Sequence, residues 1–250
     1  MIAIETEAPP RPLRSIWSAA DVAPDERALG RDRLASVRRG RSSRSPRPAR
    51  RGPARIALGV AVVLLAAFVV GGLTSIGQQH LPDALGSLAN SAAPWALVAV
   101  ALTAALRPRW WLGALVALAS LVLMNVGYGV VSTAGGFFYD GGLTSIWSIL
   151  ALVVGPVLGV AAVWLRSRAA IRTALATAAI ATVPIGEGLH GLLRVADTTN
   201  PVYWAVEVAV GVGFVVVMGF RLRGAPSAIA LAASLAGVGA TLYVLAIGMI

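Results

Sequence analysis

The 250-residue chain contains no cysteine. Disulfide bonds, thiolate metal sites and cysteine nucleophiles are therefore excluded. Lysine is absent too, since all 21 basic residues are arginine. Without lysine there is no Walker-type phosphate loop, no pyridoxal Schiff base and no retinal linkage. The Gly-x-Ser-x-Gly and His-Glu-x-x-His patterns are also missing, which removes the commonest hydrolase signatures.

Charged residues are scarce. They make up 13% of the chain, whereas hydrophobic residues make up 57%, and the mean hydropathy is +0.78. Soluble domains carry about 25% charged residues and far less apolar surface. This composition predicts an integral membrane protein whose main partner is the lipid bilayer.

The apolar residues form long segments of the length that a membrane-spanning helix needs, about 20 residues. There are seven: 56–77, 88–106, 110–132, 143–165, 173–193, 201–220 and 225–248. The second and fifth reach this length only by including polar residues. No segment has the charged stripe of a soluble amphipathic helix. We therefore predict an all-α fold, a polytopic transmembrane helix bundle of about seven spans over residues 55–250.

Arginines beyond residue 56 fall mainly in every second gap between these segments. The basic gaps hold Arg107, Arg109, Arg166, Arg168, Arg172, Arg221 and Arg223. The gaps around Asp83, Asp140 and Asp197 are not basic. Short arginine-rich loops stay in the cytoplasm. The pattern predicts a multi-pass protein of the plasma membrane with a cytoplasmic amino terminus and an outer carboxyl terminus.

Residues 1–54 are rich in arginine, serine and proline. Before Ile56 there are thirteen arginines against six acids. Such a segment has little to bury, so we predict a disordered cytoplasmic tail. Its charge favours the anionic lipid headgroups of the nearby leaflet. Nucleic acid could also bind a basic tail, but the membrane surface is nearer to the tail, so nucleic acid is not the expected partner.

Ionisable residues inside a membrane are costly and usually functional. Counting 1.5 Å per residue from the segment ends places Asn125, Glu187 and Glu207 at similar depth, in the outer third of the bundle. Glu187, His190 and Arg194 follow i, i+3, i+7 spacing and share one helix face. We predict that these five residues form a ligand-binding cluster, in which a carboxylate binds a cation or moves protons.

Two other interpretations of these residues remain open. In the first, Arg194 pairs with a carboxylate and Asn125 bonds a backbone carbonyl, so that the cluster only joins helices. In the second, the Glu187-x-x-His190 spacing belongs to a metal site with Glu207 as third ligand. Such sites normally need further carboxylates, so neither a metal nor a cofactor is expected.

Helix-breaking residues offer a second indication. Gly155-Pro156 is expected to interrupt the fourth span, Pro184 the fifth and Pro94 the second. Transporters often bind substrate where spans are broken. Proline kinks are also ordinary packing features of spanning helices.

Several short motifs occur in order along the chain. They are Asn90-Ser91 with Pro94-Trp95, Gly127-Tyr128-Gly129, Gly155-Pro156 with Gly159 and Trp164, and Glu187-Gly188. These motifs resemble those of a family of actinobacterial multi-pass membrane proteins that is catalogued as a domain of unknown function. The resemblance extends from about Gly71 to Arg223 and implies a compact helical membrane bundle without assigning an activity.

Two functional hypotheses follow. The first is a carrier of a small solute or ion, or the ligand-binding subunit of a carrier, that uses the outer-third cluster. The alternative is a non-catalytic membrane scaffold whose basic tail binds lipid or a protein partner. A membrane enzyme ranks third, and no catalytic residue is predicted.

Overall fold

The computed structural model describes residues 52–139 and 145–247, and within these ranges all regular structure is helical. A π-helical turn, Gly191–Val195, continues the sixth helix. Most of the tail predicted over residues 1–54, and the loop around Asp140, lie outside the described residues. The helices are α1 Pro53–His80, α2 Asp83–Ala89, α3 Ala92–Leu106, α4 Trp110–Ala134, α5 Ile146–Trp164, α6 Ala170–His190, α7 Pro201–Arg221 and α8 Pro226–Ile247.

The predicted all-α membrane fold is confirmed. Five helices, α1, α4, α5, α7 and α8, are both long and apolar enough to cross a membrane. The remaining predicted spans are the two that needed polar residues to reach the required length. One contains α3, which has 15 residues, and the other is α6, which has 21 residues and carries Glu187. The chain is thus a membrane-embedded helical bundle.

The second predicted span is a broken helix. The helix α2 ends at Ala89, and α3 starts at Ala92 after the non-helical pair Asn90–Ser91. Pro94 lies in the first turn of α3, where a missing N–H removes no intrahelical bond. At 1.5 Å per residue α3 is about 22 Å long, shorter than the hydrocarbon core of about 30 Å. The break therefore lies within the bundle.

The interruptions expected at the prolines are not found. The break at Asn90–Ser91 precedes Pro94, and α3 continues through that proline. Pro156 lies inside α5 and Pro184 inside α6, and both helices continue through the proline. Neighbouring helices can compensate for a missing backbone hydrogen bond in a membrane protein. The prediction that these prolines break their spans was therefore wrong.

The helix α6 lies at the centre of one half of the bundle, in contact with α5, α7 and α8. Small residues make this packing close. Its fully buried threonine, Thr177, donates its hydroxyl to the Thr173 carbonyl oxygen at 2.8 Å. The buried positions of its first three turns are Thr173, Ala174, Ala176, Thr177, Ala178, Ile180 and Ala181.

The helices α1 and α4 make the closest backbone contact on the other side. A Cβ atom built on Gly71 would lie 1.8 Å from the carbonyl oxygen of Met124. One built on Gly127 would lie 2.1 Å from the carbonyl oxygen of Phe68. The hydroxyls of Ser75 and Ser132 are hydrogen-bonded at 2.8 Å in the same interface. Only glycine fits at these two crossing positions.

The arginine-rich loops lie at one end of the bundle, as the alternating direction of the helices requires. The Arg166 guanidinium donates to the carbonyl oxygen of Ala104 at 2.5 Å, which joins the end of α5 to the end of α3. We call this face the arginine end. It comprises Arg107, Arg109, Arg166, Arg168, Arg172, Arg221 and Arg223.

Candidate functional site

Glu187 of α6 caps the amino terminus of α3. Its side chain is buried, with 8% of its surface exposed. The backbone N–H of Ala92 donates to Oε1 at 2.8 Å, and that of Ala93 donates to Oε2 at 2.5 Å. The N-cap residue Ser91 makes no side-chain cap of its own. Glu187 therefore satisfies two otherwise unpaired N–H groups, and its charge interacts favourably with the helix dipole.

Glu207 of α7 reaches the same helix break. It is 6% exposed. Its Oε1 accepts hydrogen bonds from the hydroxyls of Ser91 at 2.7 Å and Tyr203 at 3.1 Å. Its Oε2 is buried and has no hydrogen-bond partner among the described residues. Because Ser91 precedes the two residues bonded to Glu187, both carboxylates meet one short piece of chain, and we call them the acidic pair.

The acidic pair has no positively charged partner in the described part of the chain. Two carboxylates without a counter-charge are expensive in a low-dielectric interior. The backbone N–H groups of α3 offset the charge of Glu187, whereas Glu207 receives only two hydroxyl donors. A buried carboxylate without a counter-charge is stabilised by protonation or by a nearby cation, and Oε2 of Glu207 is the oxygen of the acidic pair that has no hydrogen-bond partner among the described residues.

Gln78 of α1 holds the other side of the break. Its Nε2 donates to the carbonyl oxygen of Ala89 at 2.9 Å and to Oδ1 of Asn90 at 2.6 Å. Asn90 Nδ2 in turn donates to the Gly86 carbonyl oxygen at 3.3 Å. Non-helical backbone at membrane depth is tolerated where the protein satisfies its polar groups. Here Gln78 and Glu187 do so from the two sides of the break.

A row of aromatic residues leads away from Gln78. The Tyr128 hydroxyl donates to Gln78 Oε1 at 2.5 Å. The Tyr128 ring lies 6.3 Å from that of Trp95 and 5.1 Å from that of Tyr139, measured between centroids. Burial raises the pKa of Tyr139, which lies in the loop after α4, so its hydroxyl stays protonated and donates to Asn125 Oδ1.

Asn125 belongs to a second polar cluster between α4 and α5. Its Nδ2 donates to the hydroxyl oxygens of Ser145 and Ser148, each at 2.8 Å. With Tyr139, these residues form what we call the asparagine cluster. The sequence placed Asn125 beside the two glutamates. The structure places Asn125 beside Ser145, Ser148 and Tyr139. From Tyr139 the aromatic row leads through Tyr128 to Gln78, which bonds to the helix break.

The remaining predicted ligands lie beyond the acidic pair on α6. His190 follows Glu187 by one turn, and its Nδ1 is buried without a hydrogen-bond partner in the described structure. Arg194 lies in the π-helical turn, is exposed and forms no ion pair with another described residue. The predicted pairing of Arg194 with a carboxylate is thus not found within the described ranges.

The alternative metal site does not assemble either. Within residues 52–139 and 145–247, no three histidine, aspartate or glutamate side chains come together in a group that could hold a metal ion. A role for any of the five predicted residues in ligand binding stays a prediction.

Sequence reasoning missed several parts of the site. Ser91 and Tyr203 both donate hydrogen bonds to Glu207 of the acidic pair. Gln78 bonds to the backbone at the helix break. One signal was available. Serine is a preferred residue directly before a helix, and proline is tolerated in the first helical turn; Ser91 and Pro94 occupy these two positions.

Comparison with known proteins gives one match. A family described as a family of unknown function (DUF6518) matches residues 50–249. No curated protein and no solved structure matches.

Proposed function

The chain belongs to this family of unknown function, and we propose that it is a carrier of a small cation, or the ligand-binding subunit of such a carrier. The supporting observation is the buried Oε2 of Glu207, which has no hydrogen-bond partner among the described residues. A carboxylate oxygen in this position is a ready ligand for a cation or a proton.

The broken second span supports the same proposal. In many transporters the substrate or the coupling ion binds where a spanning helix is interrupted. Here the amino terminus of α3 is already occupied by Glu187, so an anionic ligand would have to displace a carboxylate. Glu207 approaches the break with one oxygen left over, which favours a positively charged ligand.

The two glutamates have different parts in this proposal. Glu207 is the ligand residue, and Ser91 and Tyr203 orient it through its Oε1. Glu187 is a positioning residue, because both of its oxygens are bonded to the backbone of α3. The asparagine cluster, and His190 one turn after Glu187, are proposed to contact the ligand only on its path to the site.

We also propose that the arginine end faces the cytoplasm of a plasma-membrane protein. The support is the concentration of guanidinium groups in the loops at this end. The tail would then meet the anionic inner leaflet. Labelling of single cysteines introduced into this cysteine-free chain, with a reagent that cannot cross the membrane, reads the orientation directly.

The carrier proposal predicts that Glu207→Gln abolishes cation movement. Purified protein is reconstituted into vesicles that contain a pH-sensitive dye and, in parallel, a sodium-sensitive dye. The native protein should dissipate an imposed proton or sodium gradient. Loss of a charged ligand should slow this at least tenfold, since an interaction with a charged group contributes about 1.5–3 kcal/mol.

Asp197→Asn is the matched control, because it removes one carboxylate from an exposed turn outside the acidic pair. It should leave the flux unchanged. Native protein that moves neither ion faster than empty vesicles would refute the proposal for these ions. Equal flux in native protein and the Glu207→Gln variant would refute Glu207 as the ligand. A bundle without flux whose tail still binds lipid or protein is the result that the scaffold alternative predicts.

A further inference from the structure

A groove runs along the lipid-facing side of the contact between α5 and α6. It has a volume of about 340 Å³. Small side chains leave the space open, because Ala161, Ala176 and Ala179 face each other where larger residues would close it. The remaining walls are Pro156, Val157, Val160, Trp164 and Leu175.

One end of the groove opens at the arginine end. Trp164 lines the groove and is the last residue of α5. The Arg172 guanidinium carbon lies 5.9 Å from the centroid of the Trp164 ring. A guanidinium over an aromatic face keeps its N–H edge available for an anion. The apolar groove therefore ends beside the Arg172 guanidinium group, which lies over the ring of a residue that lines the groove.

Within the described ranges, the arginines of this end form no ion pair with a carboxylate. The loop between α5 and α6 carries Arg166 and Arg168 in addition to Arg172. The carboxylates of Glu187 and Glu207 are bound at the break between α2 and α3, and Asp197 lies in the turn between α6 and α7. Arg166 is bonded to the backbone of α3, which leaves Arg168 and Arg172 to meet a ligand.

We propose that this groove is a binding site for one anionic phospholipid. An acyl chain fills the apolar channel between α5 and α6, and the phosphate of the headgroup accepts hydrogen bonds from Arg172 and Arg168. Arginine can donate two parallel hydrogen bonds to one phosphate group. A diffuse electrostatic attraction to the membrane surface would not need this geometry.

The charge at one end of the groove favours a phospholipid over a protein helix as the occupant. An apolar helix face would fill the apolar part of the groove but would bring no anion to Arg168 and Arg172. A phospholipid supplies both an apolar chain and a phosphate group. The proposed lipid site is separate from the acidic pair and does not depend on the carrier proposal.

Two variants test the two halves of the site. Arg172→Gln removes the cation and keeps a polar, uncharged side chain. Val160→Phe fills the channel. Each has a control at a lipid-exposed position of α7, Arg221→Gln and Val216→Phe. The full-length protein is extracted from membranes into detergent with equal amounts of phosphatidylglycerol and phosphatidylcholine, and bound lipid is counted by native mass spectrometry.

The native protein should retain one phosphatidylglycerol in preference to phosphatidylcholine. Arg172→Gln should retain it about fivefold less, since one arginine near an anionic lipid contributes about that factor. Val160→Phe should also lower its retention, because the phenylalanine ring occupies the space of the acyl chain. Both controls should match the native protein. The proposal is overturned if the two lipids are retained equally. It is also overturned if Arg221→Gln lowers retention as much as Arg172→Gln, or if the groove variants elute as monodisperse protein with undiminished lipid.

Discussion

Replacement of Gly71 by alanine is expected to destabilise the bundle by about 3 kcal/mol, at the upper end for overpacking a close contact. The new Cβ atom would lie 1.8 Å from the Met124 carbonyl oxygen and 2.7 Å from its Cα atom. These are backbone atoms, so no side-chain rotation can relieve the overlap, and α1 must move away from α4. The measurement is reversible unfolding in mixed micelles, followed by circular dichroism.

Moving α1 away from α4 should also disturb the helix break between α2 and α3. The side chain of Gln78, one turn beyond Ser75 on α1, bonds to the end of α2. A shift of α1 would therefore weaken the contact that satisfies the Ala89 carbonyl group. We expect Gly71→Ala to lose cation flux as well as stability.

Gly213→Ala is the matched control. It is the same substitution in α7, at a glycine whose added Cβ atom would have nothing within 4 Å. Alanine has the higher helix propensity, so this variant should be as stable as the native protein or slightly more stable. Similar losses for Gly71→Ala and Gly213→Ala would show that the close contact between α1 and α4 does not limit stability.

Replacement of Glu187 by leucine is expected to cost about 4 kcal/mol. It leaves the backbone N–H groups of Ala92 and Ala93 without an acceptor inside the membrane. Each buried unsatisfied donor costs about 1–3 kcal/mol. Leucine fills a similar volume, so the loss should reflect these two donors rather than a cavity. The free energy of unfolding in mixed micelles measures it.

Two further variants separate capping from charge. Glu187→Gln keeps one acceptor oxygen and should lie between the native protein and Glu187→Leu. Glu207→Leu should cost less than Glu187→Leu, because its donors are the hydroxyls of Ser91 and Tyr203, which can rotate toward other acceptors. If Glu207→Leu proved the more damaging of the two, Glu187 would not be the cap that holds α3.

Much of the fold could be predicted because the bilayer imposes simple rules on length and charge. Segment lengths identified the spanning helices, and the arginine loops identified one end of the bundle. The second span was harder. Asn90 and Ser91 are its only polar residues near the break, and the break is stable there because Gln78 and Glu187 approach from other helices. Such long-range partners leave no trace in the local pattern.

The same reasoning applies to the site. Counting residues placed Glu187 and Glu207 at one depth, and the structure brings them to one helix break. Depth does not fix which helices are neighbours. Asn125 therefore joined the glutamates in the prediction, whereas the contact of α4 with α5 places it beside Ser148. The interruptions predicted at Pro156 and Pro184 are absent, since both helices continue through the proline and neighbouring helices can compensate for a missing hydrogen bond.

The central claim is that Glu207 has a free carboxylate oxygen inside the membrane and that Glu187 does not. A membrane-soluble carbodiimide, which forms a stable adduct with carboxyl groups in apolar surroundings, tests this when the modified peptides are mapped by mass spectrometry. We predict an adduct on Glu207, little or none on Glu187, and, if the carrier proposal holds for sodium, less modification of Glu207 when sodium is present. An adduct on Glu187 with Glu207 unmodified would contradict the account.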